Sequence, residues 1–252
     1  MRSGNPTLRE STFLDLSSGT LVSTGDAMSL SGTVNKTGIL LLLVIVTAAF
    51  SWSQTFIDDG QLALTAKVYL WGGGIGGFVL ALLTIFKTNW APVLAPLYAI
   101  FQGMFLGTIS AIYDARFDGI VMQAVLLTFG TLLAMLLAYR SGLIQATEKF
   151  KLGVIAATGG IMLVYAATIV LGLFGVNIPL IHESGLVGIG FSLLVVVVAA
   201  LNLVVDFDMI ETGVERGAPK YMEWYGAFAM MVTLIWLYVE FLRLLSKVYS
   251  RD

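Results

Sequence analysis

The sequence predicts an all-α integral membrane protein: a bundle of seven transmembrane helices. Three observations carry that expectation. Of 252 residues, 58% are hydrophobic and only 12% are charged, whereas a soluble domain carries about 25% charged residues. The uncharged stretches are long, covering 37–57, 68–86, 88–113, 119–139, 152–181, 184–205 and 224–239. The charges gather in the short segments between them.

Each stretch can be weighed against a bilayer. A helix needs roughly 17–25 apolar residues to cross about 30 Å of hydrocarbon, and a helix satisfies its own backbone there. The first six stretches are long enough. The seventh is shorter, but Phe241, Leu242, Leu244 and Leu245 extend it past Glu240. A re-entrant last segment is the alternative to a seventh crossing. Residues 1–35 are polar and rich in Ser, Thr and Gly, and read as a cytoplasmic tail ahead of a transmembrane domain over 36–252. The first apolar run begins too late and is too long for a cleaved signal peptide.

The connections are short. Asp58-Asp59-Gly60, Asp114 to Asp118 and Ile181-His182-Glu183 mark turns on one side. Lys87 to Trp90, Arg140 to Lys151 and Glu211 to Glu223 mark turns on the other. Arg2, Arg9, Lys36, Lys87, Arg140, Lys149, Lys151, Arg216 and Lys220 lie in the tail and the even-numbered connections, against Lys67 and Arg116 in the odd-numbered ones. Positive charge stays inside, so the N-terminus is expected in the cytoplasm. Seven crossings then put Arg243, Lys247 and Arg251 outside, against the rule. Trp52, Trp71, Trp90 and Trp224 fall near predicted helix ends, where indoles sit among headgroups. Trp236 lies inside the last run and reads as packing.

Composition also excludes functions. A net charge of −2 offers no footprint for nucleic acid. The absence of cysteine removes thiolate chemistry, and a single histidine argues against a His-based catalytic triad. His182-Glu183 alone is too small a set for a metal site. No enzyme activity and no resident cofactor are therefore expected, and the bilayer is the one partner composition requires.

Gly72, Gly73, Gly76 and Gly77 form two overlapping small-xxx-small pairs on the second helix, which admit a close neighbouring helix. Close packing and a hinge for gating are both compatible with them. No strand precedes these glycines and no Lys-Ser/Thr follows, so a phosphate loop is excluded.

Ionisable groups within apolar runs are default functional candidates. Asp206 and Asp208 end the sixth run. Successive helical residues differ by about 100°, so one acid can face the bundle while the other faces water; a solvated helix end is the bland alternative. Glu240 shares a face with Arg243 three residues on. That pair either eases a charge through the interface or belongs to an ion path. Gln102, beside Gly103 in mid-helix, is a further candidate. Asn202, Thr128, Thr131, Thr158 and Tyr165 read as polar residues bonding to a neighbouring helix or their own backbone. Met230 and Met231 read as core filler.

Several of these residues resemble the Bax-inhibitor/YccA-like membrane family, the transmembrane Bax-inhibitor-motif proteins. The matching stretches are Gln102-Gly103-Met104-Phe105-Leu106-Gly107, Thr128 to Tyr139 followed by Arg140-Ser141-Gly142-Leu143, Asp206-Phe207-Asp208-Met209-Ile210, and Leu237-Tyr238-Val239-Glu240-Phe241-Leu242-Arg243-Leu244-Leu245. The resemblance implies a seven-helix bundle with the last helix central, in the inner membrane. It implies a pH-sensitive calcium leak, with calcium as transported ion, in which carboxylates on helices six and seven share a proton. Two close carboxylates cannot both ionise cheaply. By motif these are Asp206 and Glu240, and Asp206 is the expected pH sensor. The rival reading is a non-conducting protein that modulates a membrane protease or another membrane complex; an intramembrane hydrolase ranks below both. Hairpin arithmetic separates the two acids. With the turn centred near Gly217, Asp206 faces Phe228, and Glu240 lies roughly 18 Å deeper at 1.5 Å per residue.

Overall fold

The computed structural model describes residues 27–57, 61–174 and 185–251. Among them are seven helices long and apolar enough to cross a membrane, and no strand beyond two isolated bridges. They are α1 (Leu30–Ser53), α2 (Leu64–Phe86), α3 (Ala91–Asp114), α4 (Ile120–Arg140), α5 (Glu148–Leu173), α6 (Leu186–Glu215) and α7 (Met222–Tyr249). The all-α membrane class predicted from composition holds. Acidic turns at Asp58-Asp59 and His182-Glu183, and the basic Arg2 and Arg9, lie outside the described residues.

Helix boundaries move in two informative places. α1 starts at Leu30, so the segment read as a tail to residue 35 is already helical near its end. Ser29 is the reason: its hydroxyl accepts a hydrogen bond from Gly32 N at 3.1 Å, capping the first turn. The connection read as Glu211 to Glu223 shrinks to 216–221, because α6 runs on to Glu215 and α7 begins at Met222. Gly217 ends α6 in the left-handed region at φ 66. Ala218 N then reaches back to Gly213 O at 3.0 Å, a glycine stop followed by Pro219. α7 continues unbroken for 28 residues, about 42 Å at 1.5 Å per residue. That exceeds the hydrocarbon thickness, so a re-entrant end is unnecessary. Its apolar window is 61% buried, more than any other span.

Hydroxyls inside the spans are satisfied locally. Thr37, Thr47, Thr84, Thr108 and Thr128 donate to carbonyls four residues back at 2.7–3.0 Å, which lets a polar side chain sit in hydrocarbon without a partner helix.

The chain divides into two compact units. Among the described residues, one is built from those up to Asp118 with Met209–Val232, the other from those of 119–208 and 233–251. In the first, α1 and α2 both pack on α3. A Cβ on Gly73 would stand 2.7 Å from Phe101 O and 2.8 Å from Phe105 N; one on Gly76 would strike the Phe101 ring, and one on Gly77 the Gln102 amide. Gly72 has nothing within 4 Å. The glycine face is therefore narrower than two overlapping pairs, and Gly72 leaves it. A second glycine pair escaped the sequence reading: Gly103 and Gly107 of α3 lie against Val44, Thr47, Ala48 and Ser51 of α1.

This arrangement makes a differential prediction. Gly73→Leu and Gly76→Leu should each lower stability in detergent by about 1–3 kcal/mol through overpacking, while Gly72→Leu should leave the thermal midpoint unchanged. Equal midpoints for all three would contradict the packing.

Candidate functional site

The second unit holds a column of buried polar groups built by α5, α6 and α7. It starts from residue spacing. Lys151, Thr158 and Tyr165 on α5 recur every seven residues, as do Thr233, Glu240 and Lys247 on α7. A seven-residue step closes two turns to within about 20°, so each trio lies along one helix face. The α5 face meets Asn202 of α6, and the α7 face meets Asp206 and Ser192.

The contacts define four levels. At the first, Asp206 is fully buried and accepts from Thr233 Oγ1 at 2.5 Å. Beside it, Asp208 pairs with Lys151 Nζ at 2.5 Å, its side chain 21% exposed. Asp206 and Asp208 thus point in different directions, as the helical step requires, and Asp208 is engaged in an ion pair at a rim. At the second level Asn202 Nδ2 donates to Thr158 Oγ1 at 2.8 Å. At the third, Glu240 Oε1 accepts from Tyr165 Oη at 2.9 Å and from Arg243 at 2.7 Å, and Arg243 also donates to Tyr165 at 2.7 Å. At the fourth, Lys247 Nζ donates to Gly188 O at 3.0 Å and Ser192 Oγ at 2.8 Å.

From Asp208 to Gly188 the column covers twenty residues of α6, about 30 Å of rise, the thickness of the hydrocarbon. An apolar layer of Ile161, Val195 and Val198, with Trp236 packed on it, interrupts the column. Three buried oxygens accept no hydrogen bond from the described residues: Asp208 Oδ2, which Lys151 holds in an ion pair, and Asn202 Oδ1 and Glu240 Oε2. A buried acceptor left so is costly, and the latter two can each accept from a water or coordinate a cation.

The depth separation of Asp206 and Glu240 needs correction. Asp206 meets Thr233, not Phe228. The non-helical residues 216–221 shift the α6–α7 register, so seven residues of α7 separate Thr233 from Glu240. The gap falls from roughly 18 Å to about 10 Å. The Glu240–Arg243 pair forms as spacing predicted, but Tyr165 completes it as a triad. Gln102 lies elsewhere, against Gly77 in the other unit.

That other unit contains the most thoroughly paired acid, at a position the charge pattern assigns to a connection. Glu223, in the first turn of α7, is fully buried. Its Oε1 accepts from Ser29 N at 2.9 Å, Ser29 Oγ at 2.8 Å and Lys220 at 2.9 Å, and Lys36 binds Oε2. Lys36 also lies 5.6 Å from the Trp224 ring centroid, giving that indole a cation partner. No group of three or more metal-ligating side chains occurs among the described residues.

Seven helices apolar enough to cross a membrane, three of which bury a column of polar and ionisable groups, define a polytopic membrane protein. The family model described as Bax inhibitor 1 like matches residues 5–250. The chain belongs to that family. No curated protein and no solved structure matches it.

Proposed function

We propose that this protein is a pH-sensitive leak for cations, calcium among them, in the inner membrane, with its N-terminus in the cytoplasm. The observation that carries the reading is the α5–α6–α7 column, where Asp206 and Glu240 stand buried on helices long and apolar enough to cross a membrane. Intramembrane acids of this kind mark ion and proton paths. Ionised Asp206 attracts a cation and protonated Asp206 does not, so conduction rises with pH. Oxygen donors along the column suit a hard cation. The column serves passage rather than catalysis, and the ion is cargo, not a bound cofactor.

Calcium entry into liposomes containing the pure protein tests this. Flux should increase with pH. Absence of protein-dependent flux at every pH would remove conduction. One observation favours the rival: the apolar layer around Val195 and Trp236 suits a protein that modulates a membrane protease or similar complex without conducting.

Orientation has its own test, made simple by a chain without cysteine. With an impermeant thiol reagent outside cells, Arg116→Cys and Ser250→Cys should be labelled and Ser141→Cys protected. The inverse pattern would overturn the orientation, and a protected Ser250→Cys the seventh crossing.

A further inference from the structure

We propose that Lys247 is a tethered plug: its ammonium occupies the oxygen ligands that a cation leaving the column would use. The inference rests on the cation-path reading and adds the residue that limits flow. Lys247 is only 6% exposed. It binds a backbone carbonyl, Gly188 O, and a hydroxyl, Ser192 Oγ. Carbonyl and hydroxyl oxygens are what channels and hard-cation sites offer in place of hydration water. Burying an ammonium away from water is costly even at a helix end, which calls for a reason.

The position suits a barrier. Along α7 the column runs from Glu240 through Arg243 to Lys247. Arg243 is a third exposed and pairs with Glu240, whereas Lys247 lies on the Glu240 face one heptad on and points to α6. A positive charge there opposes any mobile cation arriving from the acids. The tether also allows release. Val248, Tyr249 and Ser250 just beyond are exposed, so the four-carbon stem can carry the ammonium outward to the interface by snorkelling. Lysine suits this task better than arginine, being a compact charge on a flexible stem.

The test is calcium flux in liposomes. Lys247→Met should raise flux about ten-fold or more at the pH where wild type conducts least, since removing a like charge at contact range lowers the barrier by more than a decade in rate. Lys247→Cys should behave alike. Modifying it with aminoethyl methanethiosulfonate, which restores an ammonium, should return flux toward the wild-type value. Ser192→Ala loosens one ligand and should give a smaller increase; it decides the matter if the Lys247 variants do not fold. Flux in Lys247→Met equal to a conducting wild type would overturn the plug and leave the path standing. Lack of flux in wild type and all variants would overturn the path and the plug with it.

Discussion

Glu223→Gln is expected to produce the largest single loss of stability, about 2–3 kcal/mol from charge-assisted hydrogen bonds to a buried carboxylate. Glutamine cannot accept from Ser29, Lys36 and Lys220 with the same strength, and its amide NH2 would face one of the two lysine ammoniums. Lys36 and Lys220 are partly exposed and can return to water, which keeps the loss below that of stranding a buried charge. Because Ser29 also caps α1, the start of that helix should loosen with it. Thermal unfolding in detergent measures the effect, with the exposed Glu215→Gln as a neutral control. Matching midpoints for Glu223→Gln and wild type would show the carboxylate to be dispensable.

Asp206→Asn should have the largest effect on transport, flattening the pH dependence of calcium flux. Its carboxylate is buried and bonded to Thr233, so its ionisation changes the charge inside the column. Asp208→Asn should leave most of the dependence, because Asp208 sits at the rim with Lys151. Glu240→Gln should act independently of Asp206→Asn. The two acids have different partners and lie about 10 Å apart in depth, where an intervening dielectric weakens their interaction. A double variant whose effect is additive in free energy fits this. Strong non-additivity would place the two acids on one shared proton.

Spans were legible because bilayer thickness imposes a length and a polarity that composition records directly. The Glu240–Arg243 pair was legible because both residues sit on one helix three positions apart. Thr233 as the partner of Asp206 was not. That contact depends on inter-helix register, which the irregular 216–221 turn sets. Lys247 and Glu223 were hidden for another reason: charges near helix ends usually face water, and nothing local distinguishes the buried ones. A signal did exist in the seven-residue recurrence of Lys151, Thr158 and Tyr165 and of Thr233, Glu240 and Lys247. Likewise the spacing of Gly103 and Gly107 equals that of Gly73 and Gly77, and the structure shows both pairs in close contact.

Cysteine accessibility tests most directly whether the α5–α6–α7 column is the route of the ion. Thr158→Cys and Thr233→Cys place single thiols on the column, and Val197→Cys places one on a half-exposed, lipid-facing position of α6. Silver ion, a small thiol-seeking cation, should react with the two column positions quickly at the pH of greatest calcium flux and slowly at the pH of least flux. It should spare Val197→Cys at both. Column thiols that stay unreactive while calcium is flowing would show that the ion takes another way through the protein.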